Sequence, residues 1–233
     1  MEMEAVQMLE DNDEQRTEKR IAREKTIQKR GYKVMKRIFD VVMSTIALVV
    51  LSPVFLVTAI AIYIEDKGSV FYTQKRVGKK EKIFEIYKFR SMRLDADKIH
   101  EQMRTEYGSE EVSFKLKEDP RVTKVGIVIR KYNIDELPQL INILKGEMSI
   151  VGPRPLPVYE YEEERNRYGR RYADRYQVPQ GLTCNWQISN RSKVEFEDRM
   201  QMDVDYAKTC SFSIDIQLII KTALACIIGK AAY

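Results

Sequence analysis

Two adjacent acids, Asp135 and Glu136, stand between two arginines, Arg130 before them and Arg154 after them. A carboxylate can attack phosphorus and form an acyl phosphate, which is a known form of covalent catalysis. Guanidinium groups bind phosphate oxygens through paired hydrogen bonds. An anionic nucleophile that approaches a diphosphate also needs Mg²⁺ and arginines to offset the repulsion. The four residues therefore suit phosphoryl chemistry, and a structural network of salt bridges is the alternative.

The segment around the two acids is typical of the start of a short helix. Pro138 is tolerated only in a first helical turn and Gly146 is a typical stop, so a helix is predicted from near Asp135 to Gly146. At a helix N-terminus we expect both carboxylates to stay ionised near neutral pH. Asn133 and Glu136 also have the spacing of a capping box, and capping is the favoured interpretation of this segment alone.

An uninterrupted apolar run at 41–64 predicts attachment to a lipid bilayer. No Asp, Glu, Lys or Arg occurs between Asp40 and Glu65. As a helix with a rise of about 1.5 Å per residue, the run would reach about 36 Å and exceed a hydrocarbon core of about 30 Å. It lies too far from the N-terminus, and has the wrong flanks, for a cleaved signal peptide.

The apolar run is interrupted at its middle by Ser52 and Pro53, where proline removes a backbone donor and bends a helix. Basic residues flank both ends: Lys33, Lys36 and Arg37 before the run, and Lys67, Lys75, Arg76, Lys79 and Lys80 after it. Positive charge favours the cytoplasmic side, and a re-entrant hairpin broken at Ser52-Pro53 places both ends there. An ordinary kinked span, which proline permits, is the alternative.

The composition narrows the classes of partner. The chain has 40 Lys+Arg against 35 Asp+Glu, a net charge of +5, which suits anionic partners without choosing among them. The apolar run and the lack of a recognisable binding motif argue against nucleic acid. The three cysteines have no C-x-x-C spacing and support neither a disulfide framework nor a zinc site. The basic stretch 16–37 suits anionic lipid, and a soluble charged helix is the alternative.

From about residue 69 onward the chain reads as a compact mixed domain. The stretches 69–74 and 82–92 are rich in aromatic and β-branched residues and predict strands. The stretch 123–132 predicts a short strand or helix that delivers Arg130 at its end. The tyrosine-rich stretch 158–177 suits an interfacial helix or a solvated one. The apolar C-terminal stretch 211–233 is too interrupted for a second span.

Five segments, in order over residues 34–228, resemble the bacterial sugar transferases, the monotopic polyprenyl-phosphate sugar phosphotransferases or phosphoglycosyl transferases. The segments are "KRIFDVVMSTIALVVLSPVF", "YTQKRVGKKEKIFEIYKFRSMRLDAD", "DPRVTKVGIVIRKYNIDELPQLINILKGEMSIVGPRPL", "VPQGLTCNWQISNRS" and "MDVDYAKTCSFSIDIQLIIKT". The block that begins at Asp135 and ends in Pro-Arg-Pro is long and highly specific.

The resemblance implies transfer of a phospho-sugar from a nucleoside diphosphate sugar, expected to be a uridine one, to polyprenyl (undecaprenyl) phosphate, with release of nucleoside monophosphate. It implies that Asp135 is the nucleophile and carries a phospho-sugar intermediate, which the lipid phosphate then displaces. Glu136 is the second member of the dyad, near the metal or activating the acceptor. Such enzymes initiate exopolysaccharide, capsule, O-antigen or glycoprotein glycan assembly, ahead of downstream glycosyltransferases.

The resemblance also assigns the remaining positions of the site. They are Lys88 as a basic active-site residue, Arg130 and Arg154 as phosphate-binding residues, Mg²⁺ as the cofactor with Asp135 and Asp203 as ligands, and Ser52-Pro53 as the helix break.

One segment departs from the family pattern. The usual "GWAQVNGR" appears here as "TCNWQISNRS", with Asn190 where glycine is common, although Asn can still hold a left-handed turn. We expect Gln187, Asn190 and Arg191 to border the nucleotide or sugar pocket. Because this segment departs from the family pattern, the resemblance predicts the donor sugar less well than it predicts the reaction. The chain is also expected to be of the small, minimal type, without extra membrane helices or a regulatory domain.

Together these features predict an α+β fold: a re-entrant membrane helix broken at Ser-Pro, plus a compact, mostly helical cytoplasmic domain with a small β-sheet and interfacial amphipathic helices. The expected organisation is a charged arm at 1–33, the membrane hairpin at 34–66, the phosphotransferase domain at 67–229 and a tail at 230–233. The expected location is the bacterial inner (cytoplasmic) membrane, monotopic, with the active site facing the cytoplasm. A homodimer is one expectation, and the oligomeric state stays open.

Two other functions remain to be distinguished. One is a catalytically inactive membrane scaffold of a glycan-assembly complex, against which the joint presence of the site residues argues. The other is a membrane glycosyltransferase without a covalent intermediate, which would release the nucleoside diphosphate.

Overall fold

The computed structural model describes residues 30–96, 99, 119–188 and 194–227. The chain divides between Phe39 and Asp40 into two units. Within the described residues, the first unit contributes only the beginning of the first helix, and the second contains every other element. The charged arm predicted at 1–33 lies almost wholly outside the described residues, and so does the C-terminal tail.

Helices and two small sheets make up the described chain, which confirms the α+β class. The helices are α1 (Arg30–Val50), α2 (Ser52–Asp66), α3 (Lys124–Lys131), α4 (Gln139–Lys145), α5 (Val158–Tyr168), α6 (Asn185–Ile188), α7 (Phe196–Thr209) and α8 (Phe212–Ile227). Short 3₁₀ turns occupy Lys79–Glu81, Ile134–Glu136 and Ala173–Gln177. The strands are β1 (Phe71–Val77), β2 (Ile83–Phe89), β3 (Met148–Val151), β4 (Leu156–Pro157) and β5 (Gln180–Thr183).

The apolar run breaks where the sequence predicts. Helices α1 and α2 meet at an angle of 60°, with Leu51 between them. Pro53 has no amide hydrogen for the carbonyl of Val49, and the hydroxyl of Ser52 donates to that carbonyl instead, at 2.8 Å. Among the described residues no single helix has the length and apolarity to cross a bilayer, whereas this bent pair passes that test when taken together.

One side of the helix pair packs on the rest of the second unit, and the other side is bare. Ala47 and Leu48 pack against a core that contains Leu140 and Ile143, and Phe55 and Ala59 pack against Phe89 and its neighbours. Large apolar side chains on the remaining surface are at least 49% exposed: Ile46, Val49, Val50, Leu56, Val57, Ile60 and Ile64. So large an exposed apolar surface marks contact with a membrane or another protein.

The main sheet is antiparallel, in the order β2-β1-β4. In its hairpin Phe71 lies opposite Phe89 and Tyr72 opposite Lys88, which confirms both predicted strands. Strands β3 and β5 form a separate parallel pair. Of the two alternatives for residues 123–132 the structure has the helix, α3, with Arg130 in its last turn.

Candidate active site

The two acids lie on a 3₁₀ turn between α3 and α4, and not in the first turn of a helix as predicted. Asn133 adopts a left-handed conformation, with φ of 53°, and turns the chain after α3. Pro138 then precedes α4, which begins at Gln139, later than predicted. Gly146, with φ of 82°, caps its C-terminal end, as predicted. The capping-box interpretation is wrong, because the side chain of Asn133 makes no capping hydrogen bond at this turn.

Glu136 joins two basic residues that the sequence placed in the site. Lys88 donates from Nζ to Oε1 of Glu136 at 3.1 Å, and Arg154 donates to both carboxylate oxygens, at 2.5 and 3.2 Å. The Glu136 side chain is only 9% exposed. Since both cations are fixed by the same carboxylate, Glu136 acts in this structure as an anchor for Lys88 and Arg154.

Asp135 differs from Glu136 because one of its carboxylate oxygens accepts no hydrogen bond from the described residues. The residue is 6% exposed, and its buried Oδ1 has no hydrogen-bond partner in the described part of the chain. Burial, with a further contribution from Glu136, raises the pKa of the Asp135 carboxyl to about 6, while Lys88, Arg130 and Arg154 oppose the rise. Asp135 is therefore ionised at neutral pH as predicted, although burial and not a helix dipole sets its pKa.

Arg130 is positioned by close packing of α3 against the segment after β2. The Arg130 Nε donates to the hydroxyl of Ser91 at 2.9 Å. At the start of the helix Thr123 caps the amide of Gly126 at 2.8 Å. A Cβ at Gly126 would lie 2.0 Å from the carbonyl oxygen of Ser91, so only glycine allows this approach.

Two arginines that the sequence did not assign to the site hold the Pro-Arg-Pro turn. Arg76 donates to the carbonyl of Pro155 at 3.0 Å, and Arg175 donates to the carbonyl of Arg154 at 2.7 Å. The turn carries prolines on both sides of Arg154 and so has carbonyl acceptors but few amide donors. This excess of carbonyl acceptors indicates, from the sequence alone, that side-chain donors must contact the turn. It does not indicate which arginines supply them.

Asp203, which the resemblance assigned to the metal, lies in a different position. It accepts a hydrogen bond from Arg175 at 2.7 Å, and both side chains are at most 2% exposed. Burial raises the pKa of the Asp203 carboxyl, and Arg175 opposes the rise. The residues that line the site cavity within the described chain do not include Asp203. Its role as a metal ligand stays a prediction.

A cavity of about 610 Å³ connects these groups. Asp135 and Gln187 line it, together with the cations Arg76, Lys88, Arg90, Arg93, Arg130, Arg154 and Arg199. Glu160 is a second carboxylate in the lining, and seven cations against two carboxylates suit a ligand with several negative charges. The structure thus brings together Asp135, Lys88, Arg130, Arg154 and Gln187. Asn190 and Arg191 lie outside the described residues.

A Mg²⁺ ion fits one feature of this cavity. Among the described residues no group of three or more His, Cys, Asp or Glu could hold a metal. However, Mg²⁺ commonly binds one or two carboxylates together with substrate phosphates and water. The unpartnered oxygen of Asp135 supplies one such ligand, whereas the carboxylates of Glu136 and Asp203 are engaged by cations.

The profile of the family described as bacterial sugar transferase matches residues 31–229. This chain belongs to that family. It is 38% identical over 204 residues to "Exopolysaccharide production protein ExoY" of Sinorhizobium fredii, covering 86% of this chain and 88% of that protein. The family assignment made from the sequence is thereby confirmed.

Two longer relatives extend the comparison. "Galactosyl transferase CpsE" of Streptococcus agalactiae is 39% identical over 88% of this chain and 44% of its own length. "Undecaprenyl-phosphate galactose phosphotransferase" of Salmonella typhimurium is 37% identical over 89% of this chain and 43% of its own length. The chain thus spans less than half of each of these two proteins.

Proposed function

We propose that this chain transfers a phospho-sugar from a uridine diphosphate sugar to undecaprenyl phosphate and releases uridine monophosphate. The names of its relatives support a sugar transferase that uses a polyprenyl phosphate. The observation that carries the proposal is the buried, unpartnered oxygen of Asp135 in a cavity lined by cations. A carboxylate held in this way is available to attack phosphorus.

In the first half-reaction an Asp135 oxygen attacks the phosphorus that carries the sugar. A P–O bond forms to Asp135, the P–O bond to the nucleotide's other phosphate breaks, and uridine monophosphate leaves with that electron pair. Arg130 and Arg154 are positioned to bind the phosphate oxygens, and Lys88 adds a third positive charge. Above a pH of about 6 the nucleophile needs no base to remove its proton, because it is already ionised.

In the second half-reaction an oxygen of the lipid phosphate attacks the same phosphorus. The bond to Asp135 breaks, the phospho-sugar becomes part of a lipid diphosphate, and the carboxylate is regenerated. When bound, Mg²⁺ would neutralise charge on the diphosphate, and Asp135 is a carboxylate of the described cavity that would hold it. The bonds formed and broken balance without an oxidant or a net proton transfer.

The helix pair α1–α2 is proposed to enter the inner bacterial membrane as a re-entrant hairpin, with the active site in the cytoplasm. The 60° bend and the bare apolar surface of the pair support this topology. A membrane-bound site would meet its lipid acceptor without extracting it into water. A role in initiating a surface glycan, handover to downstream glycosyltransferases and a homodimer stay predictions.

The test is the identity of the released nucleotide. We would incubate the detergent-extracted chain with Mg²⁺, undecaprenyl phosphate and a panel of uridine diphosphate sugars, and separate the mono- from the diphosphate. We expect the monophosphate with at least one sugar, and at least a thousandfold loss (order of magnitude) in Asp135→Asn. Asp198→Asn, a change at an exposed acid of α7, is the matched control and should retain activity. Release of the diphosphate would show a glycosyltransferase without the covalent step.

A further inference from the structure

The cavity has two apolar walls, and they belong to different hydrophobic cores. Phe89 at one wall shares a core with Ile62, Ile129 and the α2 residues Phe55 and Ala59. Met200 at the other wall shares a core with residues that include Leu156, Tyr172 and Val204. The first wall is therefore continuous with the helix pair proposed to enter the bilayer, and the second lies beside α7.

The wall on the α2 side is aromatic and open. Phe71 stacks on Phe89, with 5.4 Å between ring centroids, and Phe55 of α2 meets Phe89 edge to face at 5.1 Å. Phe71 and Tyr72 both line the cavity and are 46% and 47% exposed. Tyr72 is paired with Lys88 in the hairpin, and both residues line the cavity, so an exposed aromatic side chain adjoins a phosphate-binding part of the site. A lipid with a phosphate head group and an isoprenoid tail fits an aromatic surface that adjoins a phosphate-binding residue.

The wall on the α7 side combines an aromatic face with hydrogen-bond donors. The Arg199 guanidinium lies over the Trp186 ring, 5.5 Å from its centroid, and Phe196 lines the cavity beside them. The buried Nε of Arg199 has no hydrogen-bond partner among the described residues. A pyrimidine base offers a π face for stacking and carbonyl oxygens for such donors.

We propose that the two walls serve the two substrates separately. The Phe71–Tyr72–Phe89 wall binds the first isoprene units of the lipid acceptor, and the Trp186–Phe196–Arg199 wall binds the nucleobase of the donor. This assignment rests on the proposed function, and it adds which residues recognise which substrate. The reacting phosphates meet between the walls at Asp135, where both substrates must place them.

The experiment measures the two half-reactions separately in detergent micelles, without a bilayer. The donor step is the burst of uridine monophosphate in the absence of acceptor, and nucleotide binding is measured as the inhibition constant of added uridine monophosphate. The acceptor step is the kcat/KM ratio for farnesyl phosphate over isopentenyl phosphate, which have three isoprene units and one. The variants are Phe71→Ser with Tyr72→Ser, and Arg199→Gln. The control is Ile83→Ser, at an exposed apolar residue of β2 that does not line the cavity.

We expect the Phe71/Tyr72 double variant to lower the preference for farnesyl phosphate about tenfold, as lost burial of an aromatic side chain implies, and to leave the donor burst within about twofold. Arg199→Gln should raise the inhibition constant of uridine monophosphate about tenfold and leave the chain-length preference unchanged. Ile83→Ser should change neither.

Two results would overturn the assignment. One is an equal loss of both steps in the Phe71/Tyr72 variant, which would make those residues structural. The other is the reverse pattern, in which Arg199→Gln changes the chain-length preference and the aromatic variant changes nucleotide binding. If the unchanged protein releases no monophosphate with any donor, the proposed function itself fails and the assignment fails with it.

Discussion

At the scale of single residues, burial of Asp135 links its reactivity to the stability of the fold. The pKa of its carboxyl rises from an ordinary 3.8 to about 6. The folded state therefore binds the proton more tightly than the unfolded state. The resulting contribution to stability is fully present below about pH 4 and is lost as the pH rises through 6. At neutral pH the buried carboxylate destabilises the protein.

We predict that Asp135→Asn is inactive and yet more stable than the parent at pH 7. Since a shift of one pKa unit corresponds to about 1.4 kcal/mol, the gain in the free energy of unfolding should be about 1–3 kcal/mol. The difference should shrink towards pH 4, where the parent carboxyl is protonated. Urea unfolding in detergent at both pH values measures it. Equal stability at pH 7 would contradict the inferred burial penalty.

Glu136 provides a second residue-scale prediction, through its charge. It raises the pKa of Asp135 and also fixes Lys88 and Arg154. In Glu136→Gln the maximal rate of the donor half-reaction should fall at least tenfold (order of magnitude), because two phosphate-facing cations lose their anchor. The acid limb of its pH profile should move to lower pH, because the neighbouring negative charge is gone. An acid limb that stays at the same pH or moves to higher pH would contradict this prediction. Glu162→Gln, a change at an exposed acid of α5, is the control.

At the scale of elements, helix α3 connects backbone packing to catalysis. Its approach to Ser91 depends on Gly126, and Ser91 in turn accepts a hydrogen bond from Arg130. Glu65, near the end of α2, accepts hydrogen bonds from the amides of Lys124 and Val125 at 2.7 and 3.1 Å. The end of the apolar hairpin therefore holds the start of the helix that delivers Arg130.

We predict that Gly126→Ala lowers the free energy of unfolding by about 1–3 kcal/mol, since a Cβ placed 2.0 Å from the Ser91 carbonyl must push α3 away. Activity should fall with it, because Arg130 moves with the helix. Gly31→Ala is a matched control in another helix: a Cβ there meets no described atom within 4 Å, and stability should stay equal or rise slightly. Thermal unfolding of the two variants side by side decides the point, and equal stability would refute the packing argument.

The hairpin gives a prediction about topology. In a background with the three native cysteines replaced by serine, single cysteines at Lys33 and Lys67 should both react with a membrane-impermeant reagent from the cytoplasmic face of vesicles. In Pro53→Leu, a fraction of the molecules should have the cysteine at Lys67 on the opposite face, because the helix can then continue straight. Ser52→Ala keeps the proline and should keep the topology. Opposite faces in the parent would show an ordinary kinked span.

At the scale of the whole molecule, the features that could be predicted from the sequence are those formed by residues close together in the chain. The apolar run, its Ser52-Pro53 break and the β1–β2 hairpin follow from local composition and spacing. The block from Asp135 to Arg154 carries the family assignment, and the Glu136–Arg154 pair lies within it, 18 residues apart.

Contacts between segments that are far apart in the chain could not be predicted from the sequence. Arg76 reaches the carbonyl of Pro155 from 79 residues away, and Asp203 pairs with Arg175 across 28 residues. Neither contact leaves a periodic pattern in the chain. The start of α4 was misplaced because the left-handed Asn133 inserts a turn between α3 and α4, and the local propensity of Pro138 does not reveal that turn.

The central claim is that Asp135 carries the phospho-sugar between the two substrates, and trapping that species tests it most directly. We would mix the full chain with Mg²⁺ and the preferred uridine diphosphate sugar without acceptor, quench in acid, and measure the intact mass and the modified peptide. We expect one sugar phosphate on the peptide that contains Asp135, absent in Asp135→Asn and lost when undecaprenyl phosphate is added. Monophosphate release that requires the acceptor, with no adduct at any time, would contradict a covalent intermediate on Asp135.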